Sequence, residues 1–575
     1  MSSDTTDESY DPTQDDEGGS DYSISEESYN SDSEDDDRPI AGRDLGGGWS
    51  RVPDLFSDVR PDEEPEFLSN YIGANPDVGF SNDMSVYDCY KHFITDEVIE
   101  YLCQCTNDRA AKFFSDNPDK KGFINHLKWK PVSVDDMHVF LALHMYTGIS
   151  KFHELNHYWA RMPMRPGIHF YTPEVMSRDR FLSILKFLRF SMVADVKPGD
   201  ASSRLNKFTE KLTDISMKNV DAGQHISIDE ALMLYKGRLI FKQYIPAKRA
   251  RFGIKMFVMC NADRNYYGYN WNFCIYYGKD SYELAQSLDV SSLTKSEKVV
   301  VFLSQFVLGQ GRHIVVDNWY SSARLAMFLE EHNTLVTGTI RANRGLPKEL
   351  ISEKLSKGKM AFVRKNNVLI VKWEDKKTVN VITTKYAAGT VDEEKKVYGR
   401  RTVIRKPTPV SRYNQYMGAV DYTDEILAPV DPNRKSQAWF KKLGLHMVLR
   451  MVFDSHIVYG NFVKKIPIKT YIETLIYDII VKHSRGGKAV MDRFKAANPR
   501  ATRKRKEPPP RVVHLLTVLT AKPGAKKQNP SKRCKVCYNK QGGKRRDTRK
   551  CCPGCPGSPG LCSEKCFMEW HSGKK

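Results

Sequence analysis

The sequence has little continuous apolar character. Its apolar runs, such as Val299–Leu303 and Phe306–Leu308, are interrupted after a few residues and never approach the ~18 apolar residues of a membrane-spanning helix. The first residues carry neither the basic region nor the apolar region of a secretory signal. We therefore expect no transmembrane helix, no signal peptide and no membrane partner.

Positive charge is absent from the first 37 residues, which contain 15 Asp and Glu side chains. The remaining residues hold 89 Lys and Arg against 55 Asp and Glu, a net charge of +34. This excess favours a polyanionic partner, most simply nucleic acid, and argues against an acid-substrate enzyme with a neutral surface. Residues 1–77 are too poor in apolar groups to offset the entropy of ordering, so we predict an acidic disordered tail.

Cysteine is sparse over most of the chain. Five of the 12 cysteines are scattered, and the other seven crowd between Cys534 and Cys566. An intracellular protein keeps its thiols reduced, so this crowd indicates a metal site rather than disulfides. The pairs separated by two residues are spaced as zinc ligands are, and a tail this short would fold on the metal. The candidate ligands are Cys534, Cys537, Cys552, Cys555, Cys562, Cys566 and His571.

The hydrophobic periodicity changes along the chain. Over about residues 85–219, apolar residues recur at intervals of three and four, which predicts helices. From His225 onward, short alternating runs predict strands, among them Arg238–Lys242. Helices are expected over Lys295–Leu308 and Asn414–Leu427. Strands and helices interleaved in this way indicate an α/β core.

Three carboxylates stand where a predicted element meets a loop: Asp229, Asp317 and Asp421. The first two end apolar strands, where an acid is a poor core residue unless it is paired or binds a metal. Strand ends of one sheet can lie side by side, and Asp421 and Asp424 would share a face of a helix. Carboxylate oxygens suit Mg²⁺ or Mn²⁺, and two such ions ~4 Å apart would clamp a phosphodiester. Each acid alone could instead be a cap or turn residue, and spacing leaves both interpretations open.

Several motifs together resemble those of the piggyBac transposases, over about residues 80–571 and in the family's order. The motifs are Ser227-Ile-Asp-Glu, Tyr244-Ile-Pro-Ala-Lys, Phe252-Gly-Ile-Lys-Met, Val316-Asp-Asn-Trp, Gly338-Thr-Ile-Arg-Ala-Asn-Arg, Tyr413-Asn-Gln-Tyr-Met-Gly-Ala-Val-Asp-Tyr-Thr-Asp424, Trp439 and the terminal Cys/His cluster.

The resemblance implies a fold class. We expect an α/β RNase H-like catalytic core inserted in a mostly helical DNA-binding and dimerisation domain, followed by a small C-terminal zinc-binding domain. The implied divisions are an acidic tail at 1–77, a split helical domain at 78–224 and 431–508, a catalytic domain at 225–340 and 411–430, an insertion domain at 341–410, a basic linker at 509–531 and a cysteine-rich zinc domain at 532–575.

The resemblance also implies an activity. Members of the family excise an element through hairpin ends and join it at TTAA, by metal-dependent phosphodiester hydrolysis and strand transfer. The implied catalytic acids are Asp229, Asp317 and Asp421, with Asp424 beside the third, and the ion is Mg²⁺ or Mn²⁺. The implied partners are double-stranded DNA and a second copy of the chain, with no small-molecule substrate. The basic cluster Arg503–Lys506 suggests import into the nucleus.

Four residues are implied as DNA contacts. Arg341, Arg344 and Lys348 lie in the family's loop after the strand that follows the second acid, and a solvated charged loop is the alternative. Trp439 matches a tryptophan near the DNA in the family, and a core aromatic is the alternative.

The family's terminal domain binds two zinc ions, which need eight ligands in all. The candidates named above supply seven, and Cys551 is the possible eighth, although it is adjacent to Cys552 and could be a bystander. One zinc ion is therefore expected, and the second depends on an eighth ligand.

Two other functions remain compatible with the sequence. A domesticated relative would bind specific DNA through the zinc tail without cutting it, although an intact set of acids argues against this. A structural chromatin protein would use charge alone, and its binding would depend on neither Asp229 nor the cysteines.

Overall fold

The computed structural model describes residues 48–52, 58, 60, 62–71, 73–118, 129–159, 175–246, 251–278, 286, 288–397, 400–434, 436, 438–490, 492, 517–519, 530–539, 545–552, 555 and 557–571. The chain divides into two compact units, Met1–Asp492 and Arg493–Lys575. Among the helices formed by the described residues, none is long and apolar enough to cross a bilayer.

Helices come first in the larger unit. Two of them begin at capping boxes, in which Ser85 and Ser133 exchange hydrogen bonds with Asp88 and Asp136 and so satisfy backbone N–H groups of the first turn. Behind these caps, apolar side chains at helical spacing are buried in the core. The helices are α1 (Val86–Lys91), α2 (Asp96–Asp116), α3 (Val134–Ile149), α4 (Arg178–Phe187) and α5 (Asn206–Asn219).

A ten-stranded mixed sheet follows. Its strands are β1 (Ser50–Arg51), β2 (His225–Leu234), β3 (Gln243–Tyr244), β4 (Phe252–Asn261), β5 (Asn270–Ile275), β6 (His313–Val316), β7 (Leu335–Thr339), β8 (Met360–Lys365), β9 (Val368–Glu374) and β10 (Thr378–Thr383). They are hydrogen-bonded in the order β1-β8-β9-β10-β7-β6-β2-β4-β3, and β5 also pairs with β4.

The centre of the sheet is parallel. β6 runs parallel to both β2 and β7, while β4 is antiparallel to β2. Ile228 of β2 pairs with Val316 of β6. Asp229 and Asp317 each follow one member of that pair, so the register alone places the two acids next to each other.

Further helices cover the sheet and return to the first helical segment. They are α6 (Lys295–Ser304), α7 (Ala323–Glu331), α8 (Lys348–Ser352), α9 (Thr408–Tyr416), α10 (Ala419–Leu427), α11 (Trp439–Phe462) and α12 (Ile468–His483). α11 is buried along most of its length and contacts α1 and α5 as well as β5 and α10. Helices from both ends of this unit thus pack together and against the sheet, while the implied domain boundaries stay predictions.

The structure corrects three local predictions. The helix expected over Asn414–Leu427 is two helices, because Met417 and Gly418 form a break at which the Met417 carbonyl accepts a hydrogen bond from Ser227 Oγ, at 2.7 Å. The helix predicted over Lys295–Leu308 ends at Ser304, four residues early. Arg238–Lys242 forms turns instead of a strand, and the next strand begins at Gln243.

The prediction of one disordered tail over residues 1–77 is wrong in its second part. Ser50 and Arg51 pair with β8, and Asp58 accepts two hydrogen bonds from Arg364, at 2.8 and 2.5 Å. Farther along, the Leu68 N–H donates to the carbonyl of Gln310. Composition identified the acidic character of this segment but not the basic residues that it pairs with. Residues 1–47 lie outside the described part of the chain.

The strands of the predicted insertion, 341–410, fall into two groups. β8, β9 and β10 extend the ten-stranded sheet beyond β7. The strands β11 (Thr390–Val397) and β12 (Arg400–Pro407) form a separate two-stranded sheet that leads into α9.

The described residues of the smaller unit form two two-stranded sheets and two short helices. Its strands are β13 (Thr517–Val518), β14 (Lys532–Arg533), β15 (Asp547–Thr548) and β16 (Lys550–Cys551), and its helices are α13 (Lys535–Asn539) and α14 (Glu564–His571). The buried cluster at its centre consists largely of cysteines, with Val536 and Leu561 as the fully buried aliphatic members. The predicted linker at 509–531 and the cluster Arg503–Lys506 fall mostly or wholly outside the described residues.

Candidate active site and zinc centres

Three carboxylates meet where the middle of β2 lies beside the carboxyl end of β6. The prediction that Asp229 ends its strand is wrong, because β2 continues to Leu234. One oxygen from each of Asp229, Glu230 and Asp317 lies within 4.8 Å of the others. Asp229 is buried, with 4% of its surface exposed, and one of its oxygens, Oδ1, accepts from the N–H of Glu230 at 2.8 Å. Hard oxygen donors held this close are suited to a divalent cation such as Mg²⁺ or Mn²⁺.

The electrostatics of Asp317 fit a cation site. Burial, and next the negative charge of Glu230, raise the pKa of Asp317 to about 6. The Trp319 N–H, which donates to Asp317 Oδ1 at 2.8 Å, and the charge of Arg341 act in the opposite direction. A bound divalent ion would relieve the repulsion between the carboxylates, so the residues present fit such an ion.

The third predicted acid approaches from a helix. Asp421 lies in the first turn of α10, is exposed, and falls outside the group of three oxygens. α10 packs against β2. Burial raises the pKa of the Tyr413 phenol, and the charges of Asp317, Asp229 and Asp421 all raise it further. All three acids are therefore close enough to one phenol to affect it.

Asp424 does not join the carboxylate cluster. Its Oδ1 accepts from Arg450 Nη1 at 2.8 Å, and the guanidinium is 1% exposed. The resemblance placed Asp424 beside the third acid without saying whether it would bind a metal, and this contact favours a positioning role.

The predicted DNA contacts separate into surface and buried residues. Lys348 is exposed at the start of α8, and Arg341 is half-buried, with its Nε donating to Asn318 Oδ1 at 3.1 Å. Arg344 is only 2% exposed, and its guanidinium lies 4.0 Å from the fully buried carboxylate of Glu297. A phosphate cannot reach Arg344 without opening the core, which corrects the prediction that Arg344 contacts DNA.

Trp439 is half-buried at the first position of α11. Its ring packs edge-on against Phe241, with 5.1 Å between centroids, and lies 6.1 Å from Tyr277. One side of the indole is therefore part of an aromatic cluster, and a contact between its remaining surface and DNA stays a prediction.

Sequence reasoning missed two charged residues near the cluster. Glu230 was visible beside Asp229, but strand alternation gave no reason to select both. Lys255 of β4 is 7% exposed, and its ammonium lies 4.8–5.1 Å from the ring centroids of Phe257, Tyr276 and Trp319. A cation enclosed by three rings is an arrangement that only the fold reveals, because the rings come from three separate segments.

Four thiols in the smaller unit form one group. The Sγ atoms of Cys537, Cys562 and Cys566 are 3.6–3.7 Å apart, and Cys534 completes the set. A tetrahedron of ~2.3 Å zinc–sulfur bonds has edges of ~3.8 Å, so these spacings fit zinc. Burial opposes ionisation of Cys534, but N–H groups of Cys537 and Cys562 lower the pKa of its thiol to about 7.

A second group has three members. Cys555 Sγ lies 3.2 Å from His571 Nε2, and Cys552 completes the group. The other nitrogen of His571, Nδ1, lies 2.7 Å from the Phe567 carbonyl, which leaves Nε2 for a metal. Cys551 belongs to neither group among the described residues; its backbone pairs with Thr517 instead. The geometry thus supports the seven ligands found from spacing and gives no support to Cys551.

The carboxylate cluster and the thiol groups lie within the matches to two family profiles. The family profile described as Transposase IS4 matches residues 85–455, and the one described as DDE_Tnp_1-like zinc finger matches residues 519–572. The first match covers more than half of the chain, which therefore belongs to this transposase family.

Within it, the chain belongs to the piggyBac type. Human PiggyBac transposable element-derived protein 3 is 25% identical over 411 residues, which are 68% of this chain and 65% of that protein. Human PiggyBac transposable element-derived protein 2 is 21% identical over 404 residues, 67% of this chain and 62% of that protein. The chain thus spans slightly less than two thirds of the length of these relatives.

One solved structure has the same fold. The cryo-EM structure of piggyBac transposase synaptic complex with hairpin DNA superposes with a TM-score of 0.58 and 21% identity, over 86% of this chain and 98% of that chain. The similarity confirms the predicted fold class.

Proposed function

We propose that this protein is an active cut-and-paste DNA transposase, which excises an element through hairpin ends and integrates it at TTAA sites. The observation that carries the proposal is the group of Asp229, Glu230 and Asp317 on two neighbouring central strands, with Asp421 on the adjoining helix. Buried carboxylates that repel one another are costly, and a chain kept only for DNA binding would gain nothing from them.

The chain's own side chains hold and orient the reacting groups. Asp229 and Asp317 are the principal metal ligands, and Asp421 completes the set from α10. Mg²⁺ or Mn²⁺ bound there would activate a water or a 3′-hydroxyl and stabilise the charge that develops on the phosphate. The Trp319 N–H fixes the orientation of Asp317, and Arg341 offers a positive charge close to it.

The partners follow from charge and from the reaction. The net charge of +34 beyond residue 37 supports double-stranded DNA as the substrate. Two ends of an element must be joined in one complex, which calls for a homodimer. The solved neighbour is itself a complex with hairpin DNA. We further propose that the protein acts in the nucleus.

An excision assay in cells tests the activity. A reporter gene interrupted by a matching element with TTAA flanks is supplied with wild type, with Asp229→Ala, and with Asp214→Asn as a control in an exposed acid of α5. We expect precise restoration of the reporter by wild type and by the control, and none by Asp229→Ala. Equal restoration by Asp229→Ala would contradict the assignment of the site.

A domesticated DNA-binding protein is the second candidate. It is favoured by the human relatives, whose names describe them as derived from transposable elements. This function would be established if the wild-type protein bound the ends of its own element specifically but did not excise that element.

A further inference from the structure

We propose that Arg450 of α11 is a positioning residue for the catalytic acid Asp421, and that it acts by holding helix α10 through Asp424. The inference rests on the proposed function in one respect, the catalytic role of Asp421. The contacts that support the inference are all formed between residues of this chain.

The primary contact is a charged hydrogen bond between two helices. Arg450 Nη1 donates to Asp424 Oδ1 at 2.8 Å, and the exposed fractions of the two side chains are 1% and 30%. Asp424 lies three residues after Asp421, so the two side chains are neighbours on one face of α10. Fixing Asp424 therefore fixes the rotation of α10 about its axis, and with it the direction of Asp421.

The guanidinium is itself held rigidly from the sheet. Its Nε and Nη2 both donate to Asn270 Oδ1 of β5, at 3.1 and 2.8 Å. The side-chain amide and the backbone N–H of Asn270 donate in turn to Asp454 Oδ1, at 2.8 and 2.9 Å. These hydrogen bonds connect α11 to β5 and return to α11 at Asp454, and they hold the Arg450 guanidinium in one orientation.

Asp424 is the carboxylate that balances the charge of Arg450. The other acid of the network, Asp454, is fully buried, and burial raises the pKa of its carboxyl to about 8. A neutral Asp454 near pH 7 leaves the desolvated guanidinium with Asp424 as its anion. Removing either partner would therefore free α10 from its electrostatic tie to α11.

A second hydrogen bond holds α10 to the turn beside it. Thr423 Oγ1 donates to the Gly268 carbonyl at 2.8 Å, in the turn between β4 and β5. Gly268 has a φ of +85°, and a Cβ there would lie 2.8 Å from the Tyr422 ring. This hydrogen bond holds α10 against the turn, and Asp424 with Arg450 adds a charged contact on the side that faces α11.

The test compares full-length variants. Arg450→Gln removes the charge, Arg450→Lys keeps it, and Asp424→Asn removes the partner while preserving its shape. Arg312→Gln is the matched control, because Arg312 is also a buried arginine paired with an aspartate, Asp221, at 2.7 Å. Arg312 lies before β6, at the opposite end of that strand from Asp317.

The first readout, hydrogen exchange over α10, does not depend on activity or on metal. We expect the amides of Ala419–Leu427 to exchange at least ~10-fold faster in Arg450→Gln and Asp424→Asn, because each loses about one charge-assisted hydrogen bond. Arg450→Lys should be intermediate, and Arg312→Gln should leave this segment at the wild-type rate. The double variant should show no more than the larger single effect.

The second readout is the affinity for Mn²⁺, measured by calorimetry. We expect ~10-fold weaker binding at the carboxylate site in Arg450→Gln, with partial recovery in Arg450→Lys. Wild-type exchange over α10 in Arg450→Gln, or losses that Arg312→Gln reproduces, would overturn the positioning role. A wild type that binds Mn²⁺ but never cuts DNA would instead contradict the proposed activity, and the two failures are therefore distinguishable.

Discussion

The two metal-binding regions of this protein are built in opposite ways. The carboxylate site stands on two central, mostly buried strands of a ten-stranded sheet, β2 and β6, and its ligands are placed by strand register. The thiol groups lie in a unit whose buried cluster consists mostly of the ligands themselves. The first site can exist without its ion, whereas the second has little besides the ion to hold it together.

The largest effect that this contrast predicts is the response to chelation. A chelator strong enough to remove zinc should unfold residues 530–571, because structural zinc contributes about 10 kcal/mol or more to a unit of this kind. The larger unit should keep its thermal transition, since its buried core among the described residues is apolar and does not depend on an ion at the carboxylate cluster.

Hydrogen exchange of the full chain with and without 1,10-phenanthroline measures both units at once, and re-addition of zinc is the control. Strong protection of residues 530–571 after zinc removal would show that the tail has a core that is stable without the ion. That result would contradict the contrast between the two regions.

The same contrast explains how much the sequence could predict. The seven candidate zinc ligands were selected from spacing alone, and the structure brings them into two groups, because sites made of nearby residues leave their geometry in the sequence. Asp229 and Asp317 were selected because each was predicted to end an apolar strand; Asp317 does follow β6, whereas β2 continues past Asp229 to Leu234. Asp421 needed the family resemblance, since a helical acid near a loop has no distinctive pattern.

The errors have a common physical cause. Arg344 was assigned to DNA because a basic loop usually faces solvent, yet its partners Glu297, Thr294 and Ser296 come from 47 or more residues away in the chain. The ordered segment around Asp58 was missed for the same reason, since its partner Arg364 is 306 residues distant. Charge pairing over such separations is a property of the fold and leaves no local signal.

The next effect concerns the buried part of the basic loop. Arg344→Met should destabilise the larger unit by about 2–4 kcal/mol, because it removes one of the cations that surround the buried Glu297. Arg341→Met, three residues earlier, should change its stability by less than ~0.5 kcal/mol and instead weaken DNA binding. Urea denaturation and an end-binding titration separate the two, and equal stability losses would place both side chains in the core.

Another effect, smaller for each pH unit, should follow pH. The pKa of Asp454 is raised to about 8 by burial, from ~3.9 in the unfolded chain, so the folded state keeps a proton that the unfolded state releases. Its contribution to stability is full below about pH 4 and declines as the pH rises through 8, by at most ~1.4 kcal/mol per pH unit.

Asp454→Asn should remove this decline, because an amide oxygen still accepts from Asn270 and carries no charge. The variant is expected to gain stability over wild type between pH 5 and pH 8 in urea titrations, while Asp214→Asn should follow wild type throughout. A constant difference at every pH would show that Asp454 is ionised in the fold.

The smallest effect is predicted for substitution of Cys551, and it tests which thiols of the tail bind zinc. Cys551→Ser should retain the zinc content and end binding of wild type, because neither ligand group includes this thiol and its backbone pairing with Thr517 is kept. Cys552→Ser removes a member of the second group and should lose about one zinc ion per chain. The zinc content of the two purified variants, measured by atomic absorption, decides the matter. Equal losses would make Cys551 the fourth ligand, and a loss in Cys552→Ser alone would leave the second zinc with three protein ligands and an open position.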